Sequence, residues 1–182
     1  MIILGIDPGS IVCGYGVIER KGNALTLVEY GVVEAKKQFP EIPRRLEAIF
    51  TRLTQVIERT KPDESALEQV FFAKNAQSLM KLSQARGVAM LAATLRQVPV
   101  AEYSANEVKR SVTGKGHASK EQVQFMVRSM LKIQETPEFF DATDALAVAI
   151  THALKRNPEA TKQSRSWKEF IADNPSKVVK RR

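Results

Sequence analysis

The sequence predicts an α/β domain in which helices flank a mixed five-stranded sheet. Three apolar segments of strand length come first, with a tight turn between the second and third, so they are expected to form an antiparallel meander. Two further strand-like segments then alternate with segments of helical periodicity, which gives the order β-β-β-α-β-α-β-α-α-α. A length of 182 residues suits a single domain with one solid core.

The three opening strands are predicted over residues 2–7, 15–20 and 25–35. The first is an apolar run ended by a Pro-Gly pair, which is typical of a buried strand followed by a turn. Gly22-Asn23 supplies the residue types of a tight turn between the second and third strands. This segment therefore predicts a hairpin-connected sheet with the first strand buried.

The middle of the chain alternates helix and strand. A helix is predicted over residues 43–60, because its apolar residues recur at helical spacing and a proline stands at its start. A strand follows at 65–72, and then a long helix over 75–97 has a broad apolar face. Gly87 within that helix is expected to permit close packing.

The last strand and three helices complete the domain. Residues 98–103 read as a strand, and Pro99 predicts that it begins there or lies at an edge of the sheet. Serine caps precede two helices, and a Thr-Pro pair opens the final one. These helices are predicted over residues 106–112, 120–132 and 136–155.

The basic charge of the chain is unevenly distributed. Residues 156–182 hold eight Lys and Arg against three Asp and Glu, and so supply +5 of the net charge of +8. This segment loses helical periodicity, so residues 1–155 are predicted to form the domain and 156–182 a mobile basic tail. A basic excess predicts a polyanionic partner, nucleic acid first, although solubility alone would also account for it.

Composition excludes several other classes of protein. No apolar run reaches the roughly 18 residues that a membrane span needs, and the apolar start is too short for a signal peptide, so no membrane partner and a cytoplasmic location are expected. The single Cys13 excludes an internal disulfide. With only His117 and His152 besides, a zinc site is not expected.

Four carboxylates on three predicted elements form the candidate site. Asp7 ends the first strand, and Glu68 lies inside an apolar strand that is expected to be central in the sheet. Asp141 and Asp144 stand three apart at the start of a helix and so share one face. These elements can bring the four side chains together at an edge of the sheet.

The acidic set in a basic chain predicts divalent cations held against a polyanion. Mg²⁺ and Mn²⁺ prefer oxygen ligands, and carboxylates so close together would raise one another's pKa unless cations neutralised them. With two ions bound, one would activate the attacking water and the other would stabilise the leaving 3′-oxygen of a phosphodiester. Asp7 is the candidate bridging ligand.

Each acid also has a simpler interpretation. Asp7 suits a turn-capping role before Pro8, and Glu68 suits a strand with one solvated face. Asp141 and Asp144 suit the N-terminus of a helix, where negative charge is favourable. The four residues together favour a metal site more than any one of them does alone.

At these residues the chain closely resembles the RuvC-type Holliday junction endonucleases of the RNase H-like superfamily. The resemblance covers residues 1 to about 155 and agrees in order and spacing. The segments that carry it are ILGIDPGS with GYGVIE, LEQVFFAKN with LSQARGVA, VKRSVTGKG with ASKEQVQ, and DATDALAVAITH.

The resemblance implies an RNase H-like fold and Mg²⁺-dependent cleavage of four-way junctions by a dimer, with two symmetric nicks that leave ligatable ends. It further implies two Mg²⁺ ions per site, for which Mn²⁺ substitutes, and work beside the RuvA and RuvB branch-migration proteins. In the family the four catalytic acids fall on Asp7, Glu68, Asp141 and Asp144. Pairing of the two subunits is implied for the helix predicted over residues 75–97.

DNA-facing residues are predicted beside the acids. Phe71 follows Glu68 closely, and an exposed aromatic there would stack on unpaired bases; the resemblance implies the same role. Lys109 and Lys120 match the family, and Lys115 is added because it lies in the basic Gly-rich loop where it can neutralise a phosphate. Solvated surface lysines and a buried phenylalanine are the simpler alternatives.

Three other functions compete with this interpretation. The GIDPGS opening also resembles the phosphate loop of actin-like and sugar-kinase ATPases, but those folds need two such domains, which 182 residues cannot supply. A non-catalytic junction-binding module would use the basic surface alone. A nuclease of the same superfamily that acts on RNA–DNA hybrid or structured RNA is the third alternative.

Overall fold

A computed structural model of the chain describes residues 1–69, 75–134 and 140–156. It contains a five-stranded sheet with the strand order β3-β2-β1-β4-β5, so the predicted mixed sheet is confirmed. Strands β1, β2 and β3 pair antiparallel, whereas β4 and β5 run parallel to β1. The strands are β1 Ile2–Asp7, β2 Cys13–Lys21, β3 Ala24–Val33, β4 Glu64–Glu68 and β5 Val100–Tyr103.

Six helices within the described residues cover the two faces of the sheet. They are α1 Ala35–Gln38, α2 Ile42–Thr60, α3 Ala76–Thr94, α4 Ala105–Thr113, α5 Lys120–Leu131 and α6 Phe140–Lys155. Helices α2 and α3 bury one face of the sheet around Leu4, Ile49 and Leu67. Helices α4, α5 and α6 bury the other face around Ile3, Val127 and Ile150. None of the helices in these ranges is both long and apolar enough to cross a membrane.

Several predicted boundaries are wrong by a few residues. The third strand ends at Val33 rather than at residue 35, because the amide of Lys36 donates to the carbonyl of Ile11 and the chain turns into the short helix α1. Strand β4 ends at Glu68, where its partner β5 also ends. The rest of the predicted strand 65–72, from residue 70 onward, and the predicted helix start at 136–137 lie outside the described residues.

Strand positions in the sheet also differ in one respect from expectation. Strand β4, expected to be central, lies between β1 and β5, and β1 is the central strand. Strand β5 begins just after Pro99 and lies at the edge of the sheet, as the proline predicts. Proline has no amide hydrogen to donate to a neighbouring strand, so it is tolerated at the edge of a sheet.

The predicted turn and cap residues are where the sequence places them. Gly22 adopts φ +60° in the turn between β2 and β3, a conformation that favours glycine. Asn75, Ser104 and Ser119 each accept hydrogen bonds from backbone amides at the first turns of α3, α4 and α5. These caps fix where the helices near the candidate site begin.

A glycine seam, formed by Gly5, Gly14 and Gly16, lets α6 lie directly on β1 and β2. Gly5 and Gly16 are opposite each other across the two strands. A Cβ on Gly5 would lie 2.0 Å from the carbonyl oxygen of Ala145, and one on Gly16 would lie 2.5 Å from Leu146 Cδ2. Any side chain in the glycine seam would therefore force α6 away from the sheet.

Candidate active site

Asp7 and Glu68 end neighbouring parallel strands. Ile6 is opposite Leu67 in the register of β1 with β4, so the next residues, Asp7 and Glu68, end the two strands side by side. Ile6 and Leu67 pack in the core on the α2 and α3 side. Because successive side chains on a strand alternate between its faces, the two carboxylates point toward α4, α5 and α6.

Helix α6 brings the other two acids to the same place. Gly14 in β2 is the partner of Asp7, and a Cβ on Gly14 would lie 2.0 Å from the carbonyl oxygen of Asp141. The first turn of α6 therefore lies over the end of β1. Asp144 follows Asp141 by about one turn on the same side of the helix.

Two adjoining cavities receive the four carboxylates. The first, the lysine-side cavity, has a volume of about 250 Å³ and is lined by Asp7, Glu68 and Asp144 together with Lys109 and Lys120. The second, the central cavity, has a volume of about 260 Å³ and is lined by Asp7, Glu68 and Asp141. Asp7 and Glu68 line both cavities and so lie between the two acids of α6.

The electrostatics of this cluster favour bound positive charge. Burial and the neighbouring carboxylates of Glu68, Asp144 and Asp141 raise the pKa of Asp7 to about 8. Burial and the charge of Asp144 also raise the pKa of Glu68. Carboxylates that resist ionisation in this way become stable anions when a cation lies among them.

The sequence matches the family model described as crossover junction endodeoxyribonuclease RuvC over residues 3–152. A relative from Cytophaga hutchinsonii with this description is 47% identical over 177 residues, which cover 97% of this chain and 88% of the relative. Another from Proteus mirabilis is 53% identical over 151 residues, which cover 83% of this chain and 86% of the relative. The chain belongs to the RuvC family.

Solved structures agree with membership of the RuvC family. Thermus thermophilus RuvC in complex with Holliday junction substrate superposes with a TM-score of 0.81 at 35% identity, covering 88% of this chain and 97% of that one. The yeast mitochondrial Holliday junction resolvase Ydc2 superposes with a TM-score of 0.62 over 94% of this chain and 83% of that one; at 12% identity this shows a shared fold alone. The predicted RNase H-like α/β fold is confirmed.

In this RuvC family member, Lys120 contacts the acidic cluster directly. Its Nζ lies 3.0 Å from Asp144 Oδ2. Burial acts to lower the pKa of Lys120, but the hydrogen bond to Asp144 and the charges of Asp144, Asp7 and Asp141 raise it overall. Its positive charge in turn opposes the rise in the pKa of Asp7 and of Glu68.

The donor chemistry of the cluster suits a hard divalent cation. All four candidate ligands are carboxylates, which Mg²⁺ and Mn²⁺ prefer. In the arrangement described, no three His, Cys, Asp or Glu side chains within residues 1–69, 75–134 and 140–156 form a ready-made metal site. Asp144 engages Lys120 through Oδ2 alone.

The predicted DNA-facing residues separate into three groups. Lys109 and Lys120 line the lysine-side cavity beside the acids. Lys115 lines a different cavity of about 350 Å³ with Phe125 and Met126, so the structure does not bring it to the acids. Phe71 lies outside the described residues, and its role stays a prediction.

The glycine seam is the positioning feature that the sequence analysis missed. Its signal was present, because Gly14 and Gly16 alternate in β2 and Gly5 lies in the antiparallel neighbour β1. Glycine inside a strand often marks the close approach of another backbone. The close packing expected at Gly87 is not made by any other described element, since apart from the backbone of its own helix no described atom lies within 4 Å of the position a Cβ would take there.

Proposed function

We propose that this chain is a structure-selective endonuclease that resolves four-way DNA junctions by two symmetric, metal-dependent nicks in homologous recombination and DNA repair. The observation that supports this most is the convergence of four carboxylates from β1, β4 and α6 on two adjoining cavities. The family relationship supplies the substrate class, since a solved member is described with a Holliday junction bound.

Asp7, Glu68, Asp141 and Asp144 are the residues that would hold Mg²⁺, two ions per site, with Mn²⁺ as a substitute. Ions held there supply charge neutralisation for the phosphodiester and a water of lowered pKa. Asp7 is the preferred shared ligand, because it lines both cavities and all three other carboxylates raise its pKa.

Lys109 and Lys120 are proposed to hold phosphates of the cut strand. Both line the lysine-side cavity with Asp7 and Glu68, so a phosphate placed there meets positive charge on one side and the acids on the other. Lys115 is proposed to contact DNA at a distance from the acids. Phe71 is proposed to stack on an unpaired base.

A homodimer is proposed to pair through the outer face of α3. Three large apolar side chains on α3 and at its C-cap are exposed within the single chain, at spacings of eleven and four residues, and the exposed Gly87 lies between the first two. These spacings match helical periodicity, so the three side chains lie on one face. The three residues are Met80 at 65%, Leu91 at 50% and Leu95 at 61% exposure.

A dimer would place two active sites on opposing strands of a two-fold symmetric junction. The RuvA and RuvB branch-migration proteins are proposed as further partners on the family relationship alone. A cytoplasmic location, the domain limit near residue 155 and the basic tail stay predictions; the Cytophaga hutchinsonii alignment extends beyond residue 155, since it covers 177 residues.

The test is a nicking assay on a mobile synthetic four-way junction, with linear duplex and RNA–DNA hybrid as controls, in Mg²⁺ and in EDTA. Wild type is expected to produce paired symmetric nicks on the junction that disappear in EDTA. Asp7→Asn is expected to bind the junction without cutting it. Preferential cutting of the hybrid would transfer the chain to another activity of the superfamily, and binding without cutting by wild type would refute the nuclease proposal.

A further inference from the structure

A third cavity, here called the outer cavity, adjoins the acidic cluster and has a volume of about 510 Å³. It lies between the loop after β1, helix α1 and the first turns of α3. Its polar lining consists of two serines, two lysines, one arginine and one acid: Ser10, Ser78, Lys36, Lys81, Arg45 and Asp141.

The three cavities are neighbours in a row, which is here called the furrow. The central cavity shares Asp7 and Glu68 with the lysine-side cavity. It shares Gly9, Leu82 and Asp141 with the outer cavity. Since the two end cavities share no lining residue, the acids lie in the middle of the furrow, with Lys109 and Lys120 at one end and the outer cavity at the other.

The cations of the outer cavity differ in their engagement. Arg45 is buried and donates to the backbone carbonyls of Phe39 and Pro40, so its charge is already used within the fold. The side chains of Lys36 and Lys81 have neither a hydrogen bond nor an ion pair within the part of the chain that the structure describes. Two unengaged ammonium groups therefore line this end of the furrow, where the other charged lining residues are Asp141 and the already engaged Arg45.

The backbone holds these groups in place. The amide of Lys36 donates to the carbonyl of Ile11 at 3.0 Å, which ties α1 to the loop that follows Asp7. Ser78 lies in the first turn of α3, where the amide-rich end of the helix favours a negatively charged group, and Lys81 follows it by three residues on the same side. The hydroxyl and ammonium groups are donors that suit phosphate oxygens, whereas Asn75 already accepts from the amides of Gln77 and Ser78.

We propose that Lys36 and Lys81 form a second backbone-phosphate subsite, which holds the nucleic acid strand on the side of the scissile phosphate opposite to Lys109 and Lys120. This rests on the proposed nuclease function and adds to it the path of the strand through the site. The contacts are to phosphate, so they position the strand without reading its bases. Cations at both ends of the furrow fix the scissile phosphate over the acids in between.

The first experiment measures junction binding in EDTA over a range of KCl concentrations for Lys36→Ala, Lys81→Ala and the double variant. Each lost phosphate contact is expected to reduce the slope of log K against log [KCl] by about 0.7–0.9. The matched control is Lys37→Ala, which removes one charge from the same helix as Lys36→Ala. The Nζ of Lys37 lies 3.2 Å from Glu34 Oε1, and Lys37 lines none of the three cavities. Thermal unfolding checks that every variant is folded.

The second experiment replaces one phosphate at a time by neutral methylphosphonate on each side of the cut. The double variant is expected to lose sensitivity to replacement on one side only, and Lys109→Ala on the other side. The proposed subsite would be overturned if the double variant had the same salt slope, and the same response to replacement of each phosphate, as Lys37→Ala. Absence of junction nicking by wild type would instead overturn the proposed function, so the two failures are distinguishable.

Discussion

Lys120 donates a hydrogen bond to Asp144 across 24 residues of sequence, with 3.0 Å between Nζ and Oδ2. A residue predicted to hold phosphate and a residue predicted to hold metal thus contact each other directly. The ammonium group supplies part of the positive charge that the carboxylates require. We expect the same ammonium group to contact the phosphate when a cation and a phosphate bind.

Lys120→Met is expected to raise the pKa of Asp7 and Glu68 further in the metal-free protein. The positive charge of Lys120 lowers the pKa of both groups, so its removal takes away a charge that opposes burial and carboxylate repulsion; at Glu68 the charge of Lys109 remains. Carboxylate ¹³C NMR titration in EDTA would measure both values. Lys115→Met is the control, because Lys115 lines a separate cavity. Unchanged titration of both acids in Lys120→Met would contradict this account.

Asp7→Asn is expected to stabilise the metal-free protein at high pH. The pKa of Asp7 is about 8 in the folded state against 3.8 ordinarily, so the folded state holds a proton that the unfolded chain has lost. Wild-type stability from this group is therefore full below pH 4 and is lost as pH rises through 8. Asparagine removes that dependence. The advantage of the variant, which is the excess of its free energy of unfolding over that of wild type, therefore grows between pH 5 and pH 9.

Urea unfolding in EDTA at these two pH values measures the effect. We expect the advantage of Asp7→Asn at pH 9 to exceed about 1.4 kcal/mol, the value of one pKa unit. Mg²⁺ is expected to stabilise wild type and to have little effect on the variant. An advantage that is equal at both pH values would show that ionisation of Asp7 is not its cause.

Gly5→Ala is expected to destabilise the fold by about 3 kcal/mol, within the range for overpacked cores. The new Cβ would lie 2.0 Å from the carbonyl oxygen of Ala145, and neither backbone can move without opening the core. Gly116→Ala is the control, since its nearest contact is Arg110 Nη2 at 3.6 Å. Denaturant unfolding compares the two, and equal stability would exclude close helix–sheet contact as the reason for glycine at residue 5.

Leu91→Glu combined with Leu95→Glu is expected to convert the protein to a monomer. Both side chains lie on the outer face of α3, where charge would prevent burial against a second copy. Light scattering after gel filtration would report the 20.3 kDa chain mass for the variant and twice that mass for wild type. Phe125→Glu is the matched control, because Phe125 is 68% exposed but lies on α5. A dimeric double variant would exclude this face.

The sequence predicted the sheet, the helices and the candidate acids because their signals are local. Asp7 stands at the end of an apolar run, and Asp141 and Asp144 are one helical turn apart, so periodicity alone places them. The contact of Lys120 with Asp144 and the separation of Lys115 from the acids depend on how helices cross, which no local pattern reports. Strand β4 ends at Glu68, opposite the last residue of β5, and such an end depends on strand pairing that no local pattern reports.

The lysines of the outer cavity could not be predicted from local sequence patterns either. Lys36 and Lys81 belong to helices that are separate in sequence, and each resembles an ordinary surface lysine when read alone. Only the packing of α1 against the loop after β1 shows that both line one cavity. Basic residues that share a cavity with an acidic site are therefore found from the fold rather than from spacing.

The glycine seam makes α6 part of the cooperative folding unit. This helix forms the second layer of the core, with Leu146 and Ile150 fully buried, and it also holds two of the four acids. Local opening of α6 would expose much of the interior, so Asp141 and Asp144 leave the sheet only when the core itself opens. Heat or denaturant should therefore abolish cutting along the same transition as tertiary structure, with no inactive folded species accumulating before it.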